Sequence, residues 1–139
     1  MRHKIQEQKL PWTVASAGTA SYHVGQAPQP LAQKVCQAHG IDISDLRASK
    51  FTQSDLAKYD KIYAFADDVY REIMKIGGAS ADMSRVDYFL NELNNDSSSG
   101  RRDRKNESVP DPYLGDEEEF KQVYNLIEKT CNKIIEKYK

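Results

Sequence analysis

The chain predicts an α/β fold, a parallel sheet with helices on both faces, and three observations carry that expectation. Short apolar runs of strand length alternate with stretches of helical periodicity. Glycines stand where those helices would stop, and a long amphipathic helix closes the chain. Strands that alternate with helices pair in parallel and leave the helices to cover the sheet.

The elements follow in order. Met1 to Leu10 reads as helix, stopped by Pro11. Trp12 to Ser16 is a short apolar run and is expected to be a strand. Leu31 to His39 is a helix closed by Gly40, a residue that accepts the left-handed backbone of a helix end. Thr52 is the expected N-cap of a short helix, because its hydroxyl can satisfy a free backbone N–H there. Lys61 to Phe65 reads as a buried strand, and Asp67 as the cap of a helix that runs to Ile76 and ends at Gly77-Gly78. Arg85 to Phe89 is the next strand. Phe120, Val123, Tyr124, Ile127, Cys131, Ile134, Ile135 and Tyr138 recur at steps of three and four, which marks one face of the last helix.

The 139 residues fit one domain, 1–139, with a modest core. One stretch within it, 91–108, holds small polar and charged residues with Leu93 alone as aliphatic, and reads as a mobile polar insertion. Its Arg101, Arg102, Arg104 and Lys105 form a basic run that reads as a solvated linker or as a lure for an acidic phosphosubstrate. Twenty Lys and Arg against 21 Asp and Glu leave a net charge of −1, so no overall field argues for nucleic acid or a membrane as partner. No apolar run approaches a membrane span, and no signal-peptide core follows Met1. Cys36 and Cys131 lie far apart on apolar helix faces and read as reduced, packed thiols, which leads to an expectation of a cytoplasmic protein.

Chemistry enters at Val109-Pro110-Asp111-Pro112-Tyr113-Leu114-Gly115-Asp116. Each proline fixes its own φ near −65° and drives the preceding residue towards extended geometry, so the Asp111 carboxylate is aimed. A carboxyl held beside an aromatic can protonate a leaving oxygen. Asp-Pro is also ordinary punctuation before a helix, so these residues alone read first as a rigid loop and cap.

Read with the Val14–Thr19 run, the loop through Tyr22 to Pro28, the stretch from Lys34 to Ser44 and the strand before Asp67, this loop resembles that of the low-molecular-weight protein tyrosine phosphatases. The resemblance runs in register from Trp12 to Tyr138. It implies their flavodoxin-like architecture and hydrolysis of phosphotyrosine through a cysteinyl-phosphate, with a phosphotyrosine protein or a small aryl phosphate as partner and no metal or organic cofactor. Asp111 matches the general acid and base. Tyr113 and Tyr22 match aromatics that flank the substrate, where ring contacts would contribute about 1 kcal/mol beyond burial. Ser16 matches a serine that supports the phosphate loop.

Four departures accompany the match. Six residues after Cys36 comes Asp42 and six after Cys131 comes Lys137, so neither cysteine provides the family's Cys-x5-Arg nucleophile loop. A histidine of many relatives is replaced by Asp45, an Arg-Ala-Arg pattern becomes Arg47-Ala48-Ser49, and a second aromatic after Tyr113 becomes Leu114. The resemblance therefore leads us to expect an N-terminally truncated domain. It lacks the nucleophile, is inactive alone, and has sheet edges open to another segment or to self-association. Three accounts stay open: a working phosphatase whose N-terminus is lost through a misassigned start or a chosen boundary, an inactive phosphate or phosphopeptide binder, and an arsenate reductase. The last would use redox cysteines in a flexible segment, and 91–108 has none.

Overall fold

The computed structural model describes residues 1–19, 24–79, 82–93, 106–112 and 115–139. Helices and a parallel sheet make it an α/β protein, as expected. The chain gathers into two compact units, Met1–Lys50 with Asp111–Lys139, and Phe51–Pro110.

The first unit is helical. It contains α1 (Arg2–Glu7), α2 (Pro30–Ala38) and α5 (Glu117–Tyr138). Pro30 opens α2, where its missing N–H costs nothing, and the Gln29 side chain accepts the Leu31 N–H at 2.5 Å. Gly40, with φ 76°, turns the chain away from α2. Asp116 caps α5 by accepting the Glu119 N–H at 3.0 Å, and Glu117, Glu118 and Glu119 put negative charge at the positive end of the helix dipole. The α5 stripe faces the core as its spacing requires: Phe120, Cys131, Ile134 and Ile135 are buried, with Val35 of α2 and Ile5 of α1 also buried in this unit. Thr130, fully buried, donates its hydroxyl to the Leu126 carbonyl at 2.8 Å, so no polar atom is stranded there. Ion pairs Lys4–Glu128 (3.4 Å) and Lys34–Glu117 (3.2 Å) tie α1 and α2 to α5. Tyr138 departs from the expected stripe and is 47% exposed, because it ends the helix beyond the last packed turn.

The second unit holds α3 (Gln53–Lys58), β1 (Ile62–Ala64), α4 (Asp67–Gly77), β2 (Val86–Tyr88) and a 3-10 turn, Phe89–Asn91. β1 and β2 pair in parallel, with Ile62 opposite Val86, Tyr63 opposite Asp87 and Ala64 opposite Tyr88. Phe51, Ala64, Ile73 and Val86 form the core, and α4 adds Val69, Tyr70 and Ile76 at helical spacing. Thr52 begins α3 as expected, its N–H donating to the Asp55 carboxylate at 2.9 Å. Gly78, with φ 84°, ends α4.

Three expectations need correction. Trp12–Ser16 is not a strand: a strand exists only by pairing, and among the described residues the bridge in this region falls at Gly18 and Lys50 instead. Val14 is accordingly 45% exposed. Asp67 is not the cap of α4, because Ala66 holds that position and Asp67 is the first helical residue. Its carboxylate accepts instead from the Tyr88 hydroxyl at 2.5 Å and pairs with Arg71. The polar stretch does not begin as an exposed segment either. Asn91 and Glu92 are buried at 5% and 4% exposure. Residues 94–105 of it, with all four basic residues, lie outside the described residues.

Candidate active site

Asp111 sits in an irregular stretch between Pro110 and Pro112, exposed. The chain passes from one compact unit to the other between Pro110 and Asp111. On the near side, Val109 is buried, and its N–H donates to the Phe65 carbonyl at 2.5 Å. One residue earlier, the Ser108 hydroxyl accepts the Asp67 N–H at 3.0 Å. The loop is therefore rooted at the end of β1 and at the first residue of α4. On the far side, the Gly115 N–H donates to the Pro112 carbonyl at 2.7 Å, and capped α5 follows at once. Pro110 and Pro112 each limit their own backbone φ, which stiffens the chain on either side of the Asp111 carboxylate.

Ser16 lies in the same unit as Asp111. Its side chain is exposed, and its carbonyl accepts the Ser49 hydroxyl at 3.2 Å. This bond joins Ser49 to Ser16 across 33 residues of sequence. Around it, the Gly18 N–H donates to the Ser49 carbonyl (2.8 Å), the Gly25 N–H to the Ala48 carbonyl (2.7 Å) and the Ala48 N–H to the Gln26 carbonyl (2.8 Å). Ala48 and Ser49 thus hold both stems of the loop that carries Tyr22. Tyr22 and Tyr113 themselves lie outside the described residues.

Both thiols sit in packed surroundings. Cys131 is buried at 3% exposure and Cys36 half-buried, both free, and burial pushes the pKa of each above the ordinary thiol value. A nucleophilic thiolate needs the opposite environment. Asp45 is turned to a structural use: Arg2 bonds it at 3.1 Å and holds its carboxyl below the usual range. Among the described residues, no cluster of His, Cys, Asp and Glu has the makings of a metal site. No helix among them is long and apolar enough to cross a membrane.

Two anchors escaped the reading of the sequence. Asn91 bonds Asn106 across the polar stretch, and Ser49 bonds Ser16. The only available signal for the first was an asparagine at each edge of a polar segment, a residue type that tolerates positive φ and bonds backbone. For the second, no sequence signal existed.

Comparison with known proteins shows the family. The family model described as low molecular weight phosphotyrosine protein phosphatase matches residues 1–139. A Synechocystis protein, whose name assigns it provisionally to the low molecular weight protein-tyrosine-phosphatases, is 32% identical over 120 residues, 86% of this chain and 71% of that one. The human low molecular weight phosphotyrosine protein phosphatase is 27% identical over 128 residues, 91% of this chain and 74% of that one. Among solved structures, a protein tyrosine phosphatase from Entamoeba histolytica superposes with a TM-score of 0.81 at 28% identity, covering 98% of this chain and 82% of that one.

Proposed function

Because this chain belongs to the low molecular weight phosphotyrosine protein phosphatases, we propose that it furnishes the acid-bearing part of a phosphotyrosine phosphatase whose nucleophile lies in polypeptide outside these 139 residues. The observation that carries this reading is the rooted loop Val109-Pro110-Asp111-Pro112, which presents an exposed carboxylate on stiff backbone.

In the reaction, a cysteine thiolate attacks the phosphorus of an aryl phosphate and the bond from phosphorus to the aryl oxygen breaks. Asp111, protonated, gives its proton to that departing oxygen. Asp111, now ionised, takes a proton from water as the water attacks the cysteinyl-phosphate. The sulfur–phosphorus bond breaks, releasing phosphate and restoring the thiolate and the acid. Tyr22 and Tyr113 flank the aromatic ring, and Ser16 supports the loop that binds the phosphoryl oxygens. The substrate is a phosphotyrosine protein or a small aryl phosphate.

The 139 residues alone do not turn over, because both thiols are packed and neither precedes an arginine at the required spacing. The test is hydrolysis of p-nitrophenyl phosphate by the chain alone and by the same chain joined behind a strand and a Cys-x5-Arg loop. Activity is expected only in the joined protein. Turnover by the chain alone above a Cys36→Ser, Cys131→Ser control overturns the assignment of the nucleophile, and an inert joined protein overturns the phosphatase reading. In the joined protein, Tyr22→Ala or Tyr113→Ala should raise KM for phosphotyrosine peptides and leave an aliphatic phosphate nearly unaffected.

A further inference from the structure

We propose that Asn91 is a positioning residue for the acid loop. Its carboxamide clamps Asn106, and so the end of β2 fixes the root of the loop. The inference rests on Asp111 being the general acid, as proposed above.

Asn91 ends the 3-10 turn that follows β2. Its Nδ2 donates to Asp87 Oδ1 at 2.8 Å and to Asn106 Oδ1 at 3.0 Å, and its Oδ1 accepts the Asn106 N–H at 3.0 Å. The amide orientation is fixed by its partners: the Asn106 N–H requires an acceptor, and the Asp87 carboxylate requires a donor. Asp87 is oriented in turn, since the same oxygen accepts the Tyr88 N–H at 2.8 Å. A side-chain amide buried to this degree must find such partners, so the clamp and the burial of Asn91 depend on each other.

Asn106 takes a positive φ of 51°, a conformation that asparagine adopts more readily than most residues. It thereby presents N–H and side-chain oxygen to the same partner. Two and three residues later come the Ser108 and Val109 bonds to Asp67 and Phe65. The chain is therefore held at 106, 108 and 109, and Pro110 then removes φ freedom before Asp111. Without the clamp, the first of these holds is gone and the other two must resist alone.

A structural role alone would make Asn91 matter to stability and nothing more. Positioning predicts a specific kinetic signature, because a misplaced acid harms poor leaving groups and spares good ones. The test uses two readouts. In the 139-residue chain, Asn91→Ala should speed amide hydrogen exchange at Val109 roughly tenfold, as loss of a hydrogen-bonded anchor loosens the bond beside it. Asn106→Asp keeps the N–H and a side-chain oxygen acceptor and should exchange as the unaltered chain does. In the joined protein, Asn91→Ala should raise the ratio of kcat for p-nitrophenyl phosphate over phenyl phosphate about tenfold, with KM unchanged. Should Asn91→Ala fail to fold, Asn106→Ala, at an exposed position, withdraws one bond, strains the backbone and serves both readouts. Unchanged exchange at Val109 overturns the clamp. Faster exchange with an unchanged leaving-group ratio overturns the positioning role. An inert joined protein takes the positioning role down with the phosphatase reading, while exchange still decides the clamp.

Discussion

The Arg2 guanidinium grips the Asp45 carboxylate through two contacts, at 3.1 and 3.4 Å, across 43 residues of sequence. This ion pair gives Asp45 a structural use. It ties α1 to the segment that follows α2, while Arg2 also donates to the Asp42 carbonyl at 3.4 Å.

That pair predicts a pH dependence. The Arg2 bond holds the Asp45 pKa below its ordinary value, and Ser44 does the same for Asp42. A carboxyl with a depressed folded pKa contributes stability above its unfolded value of about 3.9 and loses it as pH falls through the folded pKa. Both groups are fully exposed, so the effect is small and salt-sensitive. Asp45→Asn should lower the urea midpoint slightly at pH 7 in dilute buffer, and less in high salt. Below about pH 4 the difference should fade. A difference that survives unchanged at pH 3 would show that the pair is not its source.

The thiols predict a rank order of reactivity. Cys131 is the more deeply buried, Cys36 is half-buried, and burial raises both pKa values. Iodoacetamide at pH 7.5 should modify both more slowly than glutathione, with Cys131 slower than Cys36 by about tenfold or more, since its reaction must wait for local opening. Rapid labelling of Cys131 in the folded chain would contradict its packing.

The helices were legible because their signals are local. The three- and four-residue recurrence from Phe120 to Ile135, the Gly40 stop and the Thr52 start each depend on a few neighbours and survive into the structure. Lys61–Phe65 and Arg85–Phe89 were legible as apolar runs, and their central three residues pair in parallel. Trp12–Ser16 carried the same signal without the outcome, because strand formation depends on a partner that composition does not reveal. The stiff loop around Asp111 could be read from its two prolines. The bonds that root its loop, from Asn91, Asp67 and Phe65, join residues 15 or more positions apart and leave no pattern in the sequence.

Two glycines allow the loop carrying Tyr22 to be tested apart from general stability. Gly25 and Gly40 both have positive φ, 84° and 76°, and among the described residues an added Cβ at either meets nothing within 4 Å. Alanine at either site therefore costs backbone strain alone, about 1–2 kcal/mol. The two variants should melt at similar temperatures. Gly25 lies at a loop stem bonded to Ala48 and Gly40 does not, so only the strain of Gly25→Ala should also raise KM for aryl phosphates in the joined protein. Equal KM values for the two variants would separate that stem from substrate binding.

The sharpest prediction concerns Asp111. Asparagine in its place keeps the size of the side chain and both flanking prolines, so the loop should remain as it is, but the proton is gone. In the joined protein, Asp111→Asn should lower kcat for phosphotyrosine peptides about 10²-fold or more, the usual scale of general acid catalysis. The loss should shrink as the leaving group becomes more acidic, because an oxygen of low pKa departs without a proton. Substrate binding should change little, so the loss belongs in kcat rather than in KM. A series of aryl phosphates spanning several units of leaving-group pKa gives the answer as a slope. Steepening on substitution identifies Asp111 as the proton donor. An equal loss for every leaving group would mean that the carboxylate orders the site by its charge and transfers no proton.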